Sequence, residues 1–300
     1  MYLEKLILPD GEAEYAAAFA RRKQNGGYLD NGYPCGMFGA MGLSRIDFEN
    51  VTVIYGGSGS GKSTLLNIIA DKLRLKRNAP FNRSEMFPLY ADACECKMQS
   101  DGDGGERKIP DGSAIITSDD VFEYMLAARA VNEEVSENTE QGKVDYAGLK
   151  FGETFRFSGV EDYDNFRLQI LSRKKSLTRR KFLRRLAGVE VKLNSNGETA
   201  IDYFNAGLQN DTFYCLDEPE NSLSPVMQLR LKKLIETKSR YCGCQFVIAT
   251  HSPFILAVNG AKIYNLDLIP VTLSKWWQVE NTKTYFDFFY RHKDLFLKDE

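Results

Sequence analysis

Long hydrophobic runs are missing from this sequence: Phe246–Ala249 gives way at once to Thr250, His251 and Ser252, far short of the ~20 apolar residues that a spanning helix needs. No membrane insertion is expected. Proline is scarce, at 9 of 300 residues, while 43% of the chain is apolar and 27% charged, which excludes collagen-like, proline-rich and disordered classes. Met1–Pro9 mixes Glu4 with Lys5 and lacks a small-residue cleavage pattern, so no secretory leader is expected and the compartment reads as cytoplasmic. The six cysteines follow no regular spacing, and the pairs Cys94/Cys96 and Cys242/Cys244 fall one residue short of the usual zinc half-site. Reduced thiols are the expected state. A chain of this length buries about three quarters of its unfolded surface and builds a full core.

Net charge is only −2, but it is unevenly placed. Arg167 to Lys192 holds ten bases against one acid, Glu190, a local +9 that leaves −11 for the remainder. Such asymmetry suits a polyanionic partner or an acidic neighbour. Two readings stay open: a DNA or RNA surface centred on Arg173–Arg185, or a solvated face whose Phe182, Leu183 and Leu186 pack inward.

The element pattern runs strand (Tyr2–Leu8), Ala-rich helix (Glu12–Arg22), a Gly/Tyr-rich loop (Asn25–Gly42), then a strand pair at Ile46–Phe48 and Val51–Tyr55. Lys62–Leu73 carries its apolar residues at the helical period. Ser100–Gly112 reads as a surface loop, Ser113–Thr117 as a strand, and Val121–Ala130 as a helix capped by Ser118, Asp119 or Asp120. Residues 131–193 are polar, charged and helical in pattern, an inserted lobe in one domain spanning 1–300. Beyond it strands alternate with helices again: strands at Phe213–Leu216, Gln245–Thr250 and Lys262–Leu266, helices at Ser224–Lys238 and Pro253–Val258. That alternation favours an α/β fold with a mainly parallel sheet. The aromatic run Ile269–Phe289 is expected to pack as core or lid.

Three motifs carry chemistry. Gly56-Gly57-Ser58-Gly59-Ser60-Gly61-Lys62-Ser63 fits G-x-x-x-x-G-K-[ST] and lies between a predicted strand and a predicted helix, the context of a phosphate-binding loop. Its glycines let successive amides point inward, and the helix adds the positive end of its dipole. Lys62 suits the β and γ phosphates, Ser63 a Mg²⁺ ion and Thr64 the α phosphate. Phe213–Glu218 is an apolar strand ending in two acids, which places Asp217 to hold Mg²⁺ and Glu218 to polarise a water. His251 ends the strand Gln245–Thr250, and parallel strands bring their C-terminal ends to one sheet edge, so it is expected beside Glu218.

These motifs, with DEPENSLSP from Asp217 to Pro225, ATHSPF from Ala249 to Phe254 and SNGE from Ser195 to Glu198, resemble the heads of ABC-type ATPases. The likeness is to stand-alone bacterial "AAA family ATPase" proteins, related to SMC-like heads and to overcoming-lysogenisation nucleases. It implies a P-loop NTPase fold with an N-terminal antiparallel β element and a helical insert, ATP and Mg²⁺ as ligands, and hydrolysis with Glu218 and His251 as catalytic residues. It further implies an ATP-dependent homodimer in which Ser195 and Gly197 reach the γ phosphate held by a second copy's Lys62. An output in nucleic-acid surveillance, repair or anti-phage defence, with an effector protein, follows by the same likeness. A transporter subunit and a slow or inactive ATP-binding scaffold are the alternatives. Two departures weaken the transporter reading: Ser118-Asp119-Asp120 stands where a Q-loop glutamine is expected, and Ser224 where transporter ATPases carry the D-loop aspartate. Tyr33 or Phe38 is the candidate adenine-stacking ring.

Overall fold

A computed structural model describes residues 1–24, 31–81, 83–127 and 196–297. Met1–Phe122 and Ala200–Glu300 form one compact unit, and Glu123–Thr199 a second. The insert expected over 131–193, the basic stretch and Ser195 lie outside the described residues.

The strands are β1 (Leu3–Ile7), β2 (Arg45–Asp47), β3 (Val51–Tyr55), β4 (Glu95–Met98), β5 (Ala114–Thr117), β6 (Phe213–Asp217), β7 (Gln245–Thr250), β8 (Lys262–Asn265) and β9 (Thr272–Ser274). The helices are α1 (Gly11–Gln24), α2 (Met37–Ala40), α3 (Lys62–Lys72), α4 (Phe87–Ala93), α5 (Asn196–Gly207), α6 (Pro225–Tyr241), α7 (Pro253–Leu256), α8 (Glu280–Arg291) and α9 (Lys293–Phe296). Six strands form the main sheet in the order β5-β6-β7-β3-β8-β9. All its pairings are parallel except β8 with β9. The remaining three form an antiparallel sheet, β2-β1-β4. This is a mainly parallel α/β architecture, with the expected N-terminal antiparallel element in place.

Burial explains which strands sit at the centre. Every residue of β3 and β7 is buried, as expected of near-continuous apolar runs covered on both faces. β2 buries only Ile46 of its three residues. The expected strand pair does not form: β2 pairs with β1, Ile46 opposite Leu6, while β3 enters the other sheet between β7 and β8. One buried amide ties the sheets together. Gln245 Oε1 accepts from the backbone N–H groups of Tyr2 (2.6 Å) and Leu3 (2.9 Å), and Nε2 donates to Leu3 O (2.7 Å) and Glu49 O (3.1 Å).

Three further expectations are corrected. The helical run that starts at 118 is capped by Thr117, not by 118–120: the Thr117 hydroxyl accepts from Asp120 N, and the Asp120 carboxylate accepts from Thr117 N and Oγ1, a reciprocal capping box. Asp120 also accepts from Ala79 N at 3.0 Å and is buried, so it is a structural acid rather than a stand-in for a Q-loop side chain. Lastly, the aromatic run is exposed. Val279 and Thr282 anchor the start of α8, but beyond them the helix leaves the core, and Trp277, Phe286, Phe288 and Phe289 are more than half exposed. These rings pack on one another instead: Phe286 stacks on Tyr290 and Trp276 meets Trp277 edge-on.

All six cysteines are free thiols. Burial pushes the Cys94 thiol up to about 12 and Cys96 up to about 11, so both are protonated at neutral pH in the ligand-free protein. Among the described residues no helix is long and apolar enough to cross a membrane.

Candidate functional site

The site lies where β3, β6 and β7 end on one edge of the parallel sheet. Register fixes this: Tyr55 lies opposite Thr250, and Asp217 opposite Ala249. The glycine loop follows β3 and leads into α3. Gly61, with φ 91°, is the N-cap of α3 in the left-handed region, which glycine occupies without penalty. A Cβ at this position would overlap Met37 Cε, so the loop is also closely packed from below.

Lys62 is 5% exposed. Its Nζ donates to Gly56 O at 2.8 Å and Gly57 O at 2.9 Å and lies 3.7 Å from Glu218 Oε1. Ser63 Oγ donates to Asp217 Oδ1 at 3.0 Å, so the hydroxyl and carboxylate expected to share a divalent cation are already in contact. Burial pushes the Asp217 carboxyl up to about 6, with Glu218 adding to the shift and the Ser63 hydroxyl and Lys62 opposing it. The backbone of Glu218 is left-handed at φ 47°. Its Oε2 accepts from Asn221 Nδ2 at 3.1 Å, and its Oε1 lies 3.7 Å from His251 Nδ1. His251 is half-exposed.

A cavity of about 430 Å³ opens over the loop, lined by Tyr33, Met37, Ser58, Gly59, Gly61, Lys62, Ser63, Thr64 and Glu218. Its volume is that of a small-molecule pocket. Tyr33 and Thr64 hydrogen-bond through their hydroxyls. Of the two candidate rings, Tyr33 lines this cavity, whereas Phe38 is fully buried in the core and cannot stack on a ligand. Gly57 N donates to Asp267 Oδ1 at 2.8 Å. Ser60 Oγ is buried without a hydrogen-bond partner among the described residues.

The structure thus brings together the glycine loop, Lys62, Ser63, Thr64, Asp217, Glu218 and His251. Gly197 falls in the first turn of α5, and Ser195 lies outside the described residues. Sequence reasoning assigned no role to Glu220, Asn221, Asp267 or Asn281. The first two stand inside DEPENSLSP and were legible as further polar groups at a strand end. Asp267 and Asn281 follow β8 and β9 and reach the site only through tertiary folding: Asn281 Nδ2 donates to His251 O, and its N–H donates to Tyr55 Oη at 3.2 Å.

A family model described as "AAA domain, putative AbiEii toxin, Type IV TA system" matches residues 150–257, a span that holds the ends of β6 and β7 but not the glycine loop. No curated protein matches the chain. Among solved structures, an SMC head domain from Thermotoga maritima is similar at 16% identity and a TM-score of 0.40, covering 92% of this chain and 99% of that one. The dimeric ATP-binding cassette MJ0796 bound to ADP and Pi is similar at 17% identity and a TM-score of 0.36, covering 77% and 88%. A nucleotide-free ATP-binding cassette from an ABC transporter is similar at 16% identity and a TM-score of 0.37, covering 80% and 86%. The family match spans 108 of the 300 residues.

Proposed function

We propose that this ABC/SMC-like P-loop protein binds ATP with Mg²⁺, hydrolyses it, and uses the bound nucleotide to control assembly of two copies. One observation carries this reading: Lys62, Ser63 and Glu218 line one cavity at one sheet edge, with Asp217 bonded to Ser63 and His251 3.7 Å from Glu218. The donor set fits the ligands. The N-terminus of α3 and the Lys62 ammonium favour phosphate. One hydroxyl and one carboxylate suit Mg²⁺, which takes few protein ligands and completes its shell with phosphate and water. When bound, the ion neutralises charge on the phosphate oxygens.

Position supports the roles of the described residues, and the resemblance those of Ser195 and Gly197. Lys62 meets the β and γ phosphates, Ser63 and Asp217 hold the cation, and Tyr33 is the ring available to the base. Glu218, held by Asn221 and facing Lys62 and His251, takes a proton from the attacking water, and His251 contacts the terminal phosphate. Ser195 and Gly197 complete the site of a second copy. The description of the matched family as a toxin of a Type IV TA system supports a defence-type output through an effector partner, with Arg173–Arg185 as the surface for DNA or RNA.

Glu218→Gln tests the chemistry. It should keep ATP binding, lower turnover by roughly 10²-fold or more, and hold the dimer in ATP when sized by light scattering. Unaltered turnover would remove Glu218 as the base, and a monomer in saturating ATP would remove the assembly step.

A further inference from the structure

Glu220 is buried, 4% exposed, three residues beyond Asp217. Its Oε1 accepts from Thr250 Oγ1, from His251 N at 3.0 Å and from Ser252 N at 3.2 Å. The same oxygen lies 3.6 Å from His251 Nδ1. Its Oε2 is buried with no hydrogen-bond partner among the described residues. Burial pushes this carboxyl up, and the donors at Oε1 oppose the shift.

Burying a carboxylate is costly, and tying down the end of β7 does not require one. The neutral amide oxygen of a glutamine accepts the same hydroxyl and backbone donors. What an amide lacks is negative charge facing Nδ1. Two carboxylates, Glu218 and Glu220, meet that one ring nitrogen at 3.7 and 3.6 Å. Neither oxygen accepts anything from an imidazole unless Nδ1 carries a proton.

We propose that Glu220 is a positioning residue for His251: its charge, 3.6 Å from Nδ1, favours the proton on that nitrogen, leaving Nε2 as the nitrogen for the terminal phosphate and Glu218 free for the attacking water. The inference rests on the roles given above to His251 and Glu218. It divides labour between the two acids. If Glu218 alone served Nδ1, the residue that takes the water's proton would also be engaged in orienting the ring. Glu220 removes that conflict from a place the ligand does not reach. A carboxylate that fixes a tautomer in this way typically changes activity 10–100-fold when removed.

The test is spectroscopic first. The chain has 2 histidines, His251 and His292, so ¹⁵N-histidine-labelled protein gives two ring systems, assigned by His292→Gln. The His251 ring should be protonated at Nδ1 in the full-length wild type with ADP and Mg²⁺. A ring protonated at Nε2 alone overturns the proposal without any variant at Glu220. In Glu220→Gln the negative charge facing Nδ1 is gone, so the Nδ1–H population should fall and the two tautomers mix. The turnover number should fall roughly 10–100-fold while KM for ATP changes less than about threefold. An unchanged tautomer and turnover in a folded Glu220→Gln protein would also overturn it. In a His251→Ala background Glu220→Gln should cost nothing further, and an additional loss would show that Glu220 acts by another route. Absence of any ATPase in the wild type would count against the proposed function, whereas the ring-nitrogen signals would still decide the role of Glu220.

Discussion

Replacing Asp217 by asparagine should stabilise the ligand-free protein while removing its Mg²⁺-dependent affinity for ATP. The carboxyl sits at the end of β6 with its pKa raised from 3.8 to about 6, burial being the largest cause. At 1.36 kcal/mol per unit, a rise of about two units makes the ionised form cost up to ~3 kcal/mol. Asp217 is partly exposed, so solvent screening brings this nearer ~1–2 kcal/mol. The folded state holds the proton more tightly than the unfolded chain does. Stability from this group is therefore greatest below pH ~4, is lost as pH rises from ~4 to ~6, and stays reduced above. Asparagine carries no charge, and its Oδ1 can still accept the Ser63 hydroxyl. Urea unfolding should show the variant ~1–2 kcal/mol more stable than wild type at pH 7.5, with the advantage vanishing near pH 4. Adding Mg²⁺ to ATP should raise the midpoint of the wild type further and leave that of the variant at its value in ATP alone. A variant less stable at pH 7.5, or an advantage that does not shrink on acidification, would refute the argument.

Gly61→Ala places a Cβ on Met37 at φ 91°, so it should cost about 1–2 kcal/mol and weaken ATP binding at least tenfold by titration calorimetry. Gln245→Leu strips partners from the buried Tyr2 N, Leu3 N and Leu3 O; at ~1–3 kcal/mol for each unsatisfied group, the loss should be at least ~3 kcal/mol in urea. Phe286→Ser together with Phe289→Ser should shift stability by no more than about 0.5 kcal/mol each, because both rings are exposed; a large loss of Tm would mean that something covers them.

Much of the site was legible because its signals are local. A glycine loop between a β-branched strand and an amphipathic helix needs only neighbours in sequence, and so does a strand ending in Asp217-Glu218. Parallel pairing then delivers His251 to the same edge, since sheet topology requires only that β6 and β7 adjoin. The pairing of β2 was not legible: three residues with one buried side chain carry no preference between two partners. Nor was the fate of the aromatic run, where composition points inward but the anchoring of α8 at Val279 and Thr282 alone leaves the rings outside. Glu220 was visible as a letter and silent as a function. Its role depends on an oxygen meeting atoms from residues 250 to 252, a coincidence of three-dimensional position that no spacing rule encodes.

The Gln245 side chain leaves little freedom for sliding within the unit. Shear of the antiparallel layer past the parallel one would strand three buried main-chain groups at once, so motion along that seam is resisted. Whatever moves when the terminal phosphate arrives or departs must therefore be accommodated by play elsewhere, with both layers travelling together like a single plate.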